Sequence, residues 1–156
     1  MEKHKPSEMH HYRSLCAMLL MSFVAMFALM YAMTNRLEDV YLNWNQVYMA
    51  ALMTAPMGLI EIVVMRGMYK DPKMNLVVAV ASVVLLIGAW FGIRQQVAIS
   101  DTQFLRSMIP HHSGAVLMCQ QATITDAEIT KLCATIIAGQ QEEIDQMNAA
   151  LRRLSD

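Results

Sequence analysis

Met108, His111 and His112 lie close together in the chain, and Met118 follows seven residues after His111. On a helix, residues three and four apart are neighbours, so the Met108 thioether meets both imidazoles, and Met118 returns to the His111 face. Further on, Gln140, Glu143 and Met147 share a second helical face. A fold that laid one helix on the other would bring Glu143 and Met147 to the His pair. Thioether sulfur selects Cu(I), while imidazole suits copper and zinc alike, so the mixed set favours copper, with Ag(I) as a mimic. Pro110 cannot donate to the Arg106 carbonyl, which predicts a kink just before the two histidines. A second reading stands beside this one. Met108, Met118 and Met147 fall on apolar faces, where Met fills gaps. Glu143 is the weakest of the ligand candidates, because it reads also as the partner of Arg106 or as an acceptor orienting a His.

The elements that must position these residues follow from capping signals and periodicity. Ser100 and Gln103 have capping-box spacing, with Asp101 as an alternative cap, and an amphipathic run follows from Phe104 to Ala122. Thr125 and Glu128 repeat the box, ahead of a second run from Ile129 to Leu154 with helical period. Two helices and a short turn make an αα-hairpin, and no strand pattern competes. A hairpin alone buries too little apolar surface to stand as a domain. It therefore needs a partner, either a second copy of itself or other helices of the chain.

Those other helices are apolar. The 156 residues are 56% hydrophobic and 16% charged, against about 25% charged in ordinary soluble domains. The deficit is local: Ser14–Thr34, Val40–Ile60 and Met74–Ile93 contain no Asp, Glu, Lys or Arg. Each window has the roughly 20 residues needed to cross a bilayer as a helix. The first is too long for a signal-peptide core and reads as a retained anchor. Lys3, Lys5 and Arg13 precede the first span, and Arg66, Lys70 and Lys73 separate the second from the third. The positive-inside rule then puts the N-terminus in the cytoplasm and everything after Arg94 outside. Aromatic residues such as Tyr41, Trp44 and Trp90 at the outer edge and Tyr12 and Tyr69 at the inner one form the matching belt. The expected organisation is a cytoplasmic tail (1–13), a three-helix membrane region (14–94) and an extracytoplasmic hairpin (95–156). A net charge of −1 offers no footprint for nucleic acid.

Two stretches of the hairpin are distinctive: Phe104-Leu105-Arg106-Ser107-Met108-Ile109-Pro110-His111-His112-Ser113-Gly114-Ala115-Val116-Leu117-Met118, and Ile136 to Met147. Residues 101–153 resemble domain-of-unknown-function family 305, a ferritin-like helical family that includes periplasmic copper-binding proteins. The resemblance implies a helical bundle, often built from paired hairpins, and copper handling in an oxidising compartment. The Glu-x-x-His signature of di-iron bundles is absent, which sets aside an oxidase. Cys119 and Cys133 stand where the family commonly shows Ala, on opposite arms at similar distances from the turn. They read as a disulfide across the hairpin, as extra soft ligands when reduced, or as two small packing thiols.

The 16 Met are unevenly spread. Met18, Met21, Met26, Met30 and Met33 fall in the first span, and Met49, Met53 and Met57 step by four along the second towards Glu61 and Met65. This stripe reads either as a thioether ladder for Cu(I) or as a Met-packed helix contact. Cys16 reads as packing, and His4, Met9, His10 and His11 read as part of a flexible, solvated tail or, alternatively, as a cytoplasmic metal handle.

The sequence thus predicts an all-α protein: three transmembrane helices followed by a hairpin that pairs into a larger bundle in a homo-oligomer. It predicts a bacterial plasma-membrane protein binding copper, Cu(I) above all, for tolerance or delivery, through His111, His112, Met108, Met118, Met147 and Glu143. The rivals are an assembly module without metal and a small Met-lined transporter. No nucleophile–base set or phosphate loop suggests an enzyme.

Overall fold

The computed structural model describes residues 6–154. The fold is all-α, with five helices and no strand among the described residues: α1 (Pro6–Leu29), α2 (Trp44–Val64), α3 (Pro72–Arg94), α4 (Asp101–Gln121) and α5 (Ala127–Arg153). Two 3-10 turns, Met30–Met33 and Leu37–Asp39, interrupt the segment between α1 and α2. Three stretches are long and apolar enough to cross a membrane: Met9–Met33, Trp44–Val64 and Pro72–Arg94. The chain divides into two compact units, one formed by residues up to Leu29 together with Val47–Val97, the other by Met30–Gln46 together with Ala98 onwards.

In the first unit, small residues set the packing. The buried face of α2 is Ala50, Ala51, Thr54, Ala55 and Gly58. Lipid is as apolar as Leu, so helices in a bilayer associate through close contact and hydrogen bonds, which small residues permit. A Cβ added at Gly58 would come within 2.6 Å of the Ser82 hydroxyl oxygen on α3. Thr54 places its hydroxyl 2.8 Å from the Ala50 carbonyl and 3.7 Å from the Met26 sulfur. One end of the unit is closed by buried Tyr12, Leu15 and Tyr69. There the Tyr12 hydroxyl donates to Asn75 Oδ1 at 2.8 Å and the Tyr69 hydroxyl to Glu61 Oε1 at 3.4 Å. Burial first, and the neighbouring Glu61 charge second, push the Tyr69 hydroxyl above its ordinary pKa.

The ends of α3 follow local chemistry. Asp71 caps the first turn by accepting from the Lys73 and Met74 amides, with Pro72 at the first helical position. At the other end Gln96 takes the left-handed conformation (φ 49°), and Val97 N–H reaches back to the Gly92 carbonyl at 3.0 Å. This is a Schellman closure with Gln where Gly is usual.

In the second unit, α4 and α5 form the expected hairpin. Ile109 and Val116 on one arm meet Ile144 and Leu151 on the other, one stripe per helix. The caps differ from those expected. Ser100 precedes α4 but makes no side-chain cap bond, and Gln103 Oε1 instead accepts from the Trp44 amide at 3.1 Å. Asp126, not Thr125, caps α5, accepting from the Glu128 and Ile129 amides. A carboxylate beside two helix N–H groups is the stronger acceptor. The helix α4 runs continuously through buried Pro110.

The hairpin has a partner that the sequence did not suggest: the segment Met30–Gln46. Ser113 is fully buried, donates to Asp39 Oδ2 at 2.6 Å and accepts from the Asn35 amide at 2.9 Å. Asn43 donates to the Arg106 carbonyl at 3.3 Å, Asn45 to Ser107 Oγ at 3.0 Å, and Tyr41 to Asn148 Oδ1 at 3.0 Å. Gly114 allows this close approach, because a Cβ there would meet the Met33 carbonyl oxygen at 3.2 Å, a tight contact that the main chain of Met33 would have to yield to. At the N-terminus, His10 and His11 belong to α1 rather than to a flexible tail, while Lys3, His4 and Lys5 lie outside the described residues.

Candidate metal centre

His112 and Glu143 meet across the hairpin, with His112 Nε2 2.9 Å from Glu143 Oε2. The other ring nitrogen, Nδ1, lies 2.9 Å from the Met108 carbonyl one turn earlier. Both ring nitrogens therefore lie within hydrogen-bond distance of an oxygen. The two sides of the pair differ in exposure. The His112 side chain is 12% exposed and held by its own helix, whereas Glu143 is 55% exposed and free to turn away. Between His and Arg106 as protein partners, Glu143 meets the His. Arg106 is not its partner, and Arg106 Nε is buried without a hydrogen bond.

His111 is exposed beside His112, with ring centroids 6.0 Å apart in an edge arrangement. Met108 is half-buried one turn from both. Met147 lies one turn beyond Glu143 on α5 and packs against the Ile109–Ile144 core, as a gap-filling Met does. Met118 is 53% exposed, two turns beyond His111, with its side chain off the hairpin core. The fold thus gathers His112, Glu143 and the Met108 turn. It leaves His111 and Met118 on the neighbouring open face and gives Met147 a packing role. Among the described residues no group of three or more His, Cys, Asp or Glu could hold a metal ion. A metal at this seam would take its further donors from Met sulfur, which suits a soft monovalent ion better than zinc.

Cys119 and Cys133 form a disulfide, with Cα atoms 5.3 Å apart. The bond staples the hairpin near its turn. Closing a loop of about 15 residues in the unfolded chain contributes roughly 3 kcal/mol.

The Met stripe of α2 is dispersed. Met49 and Met53 lie on the exposed side of the helix, away from its small-residue packing face, and Met57 is half-buried. Cys16 is exposed on α1 instead of packed. A polar cleft of about 360 Å³, lined by Arg36, Asp39, Tyr41, Asp145, Asn148 and Arg152, is another feature of the second unit. No spacing in the sequence signals it, because its walls come from distant segments.

Residues 32–151 match the family described as "Domain of unknown function (DUF305)". The chain belongs to this family. The DUF305 match reaches well upstream of the hairpin, so α2 and α3 lie within the family's span rather than in front of it. This DUF305 chain is also similar to an uncharacterised protein of Acanthamoeba polyphaga mimivirus, 32% identical over 142 residues that make up 86% of this chain and 91% of the viral one. No solved structure matches.

Proposed function

We propose that the protein is a membrane-anchored copper-binding protein, holding Cu(I), with Ag(I) as its mimic, on the open side of the α4–α5 hairpin. The observation that carries this reading is the His112 arrangement. Histidines that ligate metals characteristically donate Nδ1–H to a main-chain carbonyl or carboxylate, which fixes the ring and its tautomer. His112 has this geometry through the Met108 carbonyl. A metal ion at Nε2 would replace Glu143 as the partner of that nitrogen, and the exposed carboxylate would turn to the ion or to water. Met108 would supply a further donor one turn before His112, and His111 and Met118 would supply donors from the neighbouring open face of α4, while Met147 keeps its packing role against the core. The role is copper tolerance or delivery, not catalysis.

The hairpin in this reading faces away from the compartment of the N-terminus, as the basic residues around the first two spans indicate. The Cys119–Cys133 disulfide supports an oxidising, extracytoplasmic side. The bacterial plasma membrane is the setting that the family resemblance suggests.

Anaerobic Cu(I) titration of the full chain in detergent, against a colorimetric Cu(I) chelator, tests the proposal. Wild type should hold Cu(I) against the chelator, and His111→Ala/His112→Ala should lose at least tenfold in affinity. Equal binding by the double variant sinks the site assignment.

One observation favours a second reading. Phe104, Met118, Ile129 and Leu132 are large apolar side chains exposed on the hairpin. Pairing of hairpins from two copies into a ferritin-like four-helix bundle would cover such residues. An assembly module of this kind forms oligomers whose mass is indifferent to copper and chelator, measured by light scattering with detergent correction.

A further inference from the structure

We propose that Cys119 and Cys133 constitute a second metal site, present only when their disulfide is reduced: a two-thiolate clamp for a soft monovalent ion, Cu(I) or Ag(I). The inference stands on the cysteine pair and does not require the histidine site. The two residues face each other across the hairpin near its turn, with Cα atoms 5.3 Å apart. Both are half-buried, and the adjacent Met118 is exposed, so this end of the seam is open to small reagents. Cβ atoms bridged by a disulfide lie about 4 Å apart. An ion seated between two thiolates at bond lengths of about 2.3 Å asks for sulfurs between 4 and 5 Å apart. Rotation of each side chain about its Cα–Cβ bond supplies that separation with no movement of either helix.

The surroundings select the ion. Zinc takes four ligands in a structural site. Among the described residues no third His, Cys, Asp or Glu joins the pair in a metal-holding group. Thiolate sulfur selects Cu(I), which accepts a low coordination number. The clamp is also separate from the histidines. Cys119 lies seven residues beyond His112 on α4, about 10 Å along the helix.

The chemistry balances in two steps. A dithiol or phosphine reductant gives two electrons to the S–S bond: the dithiol passes its two protons to the sulfurs and leaves as its disulfide, whereas the phosphine leaves as its oxide with oxygen taken from water, whose two protons complete the two thiols. One monovalent ion then displaces both thiol protons, forming two metal–sulfur bonds and a complex of charge −1. Oxidised, the pair staples the hairpin; reduced, it holds metal in the same place.

The experiment uses the full chain in detergent with Cys16→Ser, so that the remaining thiols are the two in question. The protein is reduced with a water-soluble phosphine, freed of it under anaerobic conditions, and titrated with Cu(I) against a chelator, beside an oxidised sample. Reduced protein should bind one more equivalent of Cu(I) than oxidised protein. That extra equivalent should vanish in Cys119→Ala/Cys133→Ala and survive in His111→Ala/His112→Ala, which separates this site from the one proposed above. Circular dichroism checks that the Ala pair retains its helices. Should it not, alkylation of the reduced thiols in folded protein replaces it and should abolish the gain. Equal stoichiometry in the two redox states, or a gain that persists after alkylation or in the Ala pair, overturns the proposal.

Discussion

The two sides of α4 are built from the same helix but solve opposite problems. On one side Ser113 and Gly114 press against the segment Met30–Gln46: Ser113 is hydrogen-bonded to both Asp39 and Asn35, and Gly114 leaves no room for a larger side chain without a shift of the Met33 main chain. On the other side His111 and Met118 stand exposed, and His112 leans on a carboxylate that is itself more than half exposed. Buried polar groups that are fully paired fix a structure, because breaking any one of them leaves its partner desolvated and unbonded. Soft donors on an open face contribute little to stability and are free for a ligand. The contrast separates residues that hold the hairpin from residues available for chemistry.

Substitutions on the two sides should therefore differ in kind. The largest effect is expected from Ser113→Ala, which strands the buried Asp39 carboxylate and the Asn35 amide and should cost about 3 kcal/mol. Thermal unfolding followed by circular dichroism measures it, and Cu(I) affinity of the folded protein should not change. Gly114→Ala comes next, because the added methyl meets main-chain oxygen at 3.2 Å. Over-packing of this order costs about 1–2 kcal/mol. His112→Ala removes one partially exposed His–carboxylate contact, so stability should fall by no more than about 1 kcal/mol while Cu(I) binding drops. Met118→Leu is the smallest in stability, within about 0.5 kcal/mol, yet should weaken Cu(I) binding several-fold. If Met118→Leu unfolded the hairpin, or Ser113→Ala abolished copper binding without unfolding it, the division between the two sides would fail.

How far the sequence disclosed this arrangement depended on the physics involved. The apolar helices showed themselves through missing charge, but their ends did not. Val40–Ile60 was the uncharged window, whereas the helix runs Trp44–Val64. Lipid matching constrains which residues are apolar, and capping decides where a helix begins. The hairpin was visible from its period, and the approach of Glu143 to a His from spacing on two helix faces. The partner segment Met30–Gln46 was not visible. Its hydrogen bonds join residues 78 and 107 positions apart, as in Asn35 to Ser113 and Tyr41 to Asn148, and contacts at such separation leave no periodic trace. Nor did spacing alone choose among the three roles open to Cys119 and Cys133, since that choice rests on how closely the two helices approach.

Copper K-edge X-ray absorption of the oxidised full chain loaded with one equivalent of Cu(I) tests the central claim most directly. The account predicts a mixed first shell of sulfur from Met and nitrogen from His, with the nitrogen contribution lost in His111→Ala/His112→Ala. A shell with no nitrogen, or a spectrum that the double substitution leaves unchanged, would contradict it.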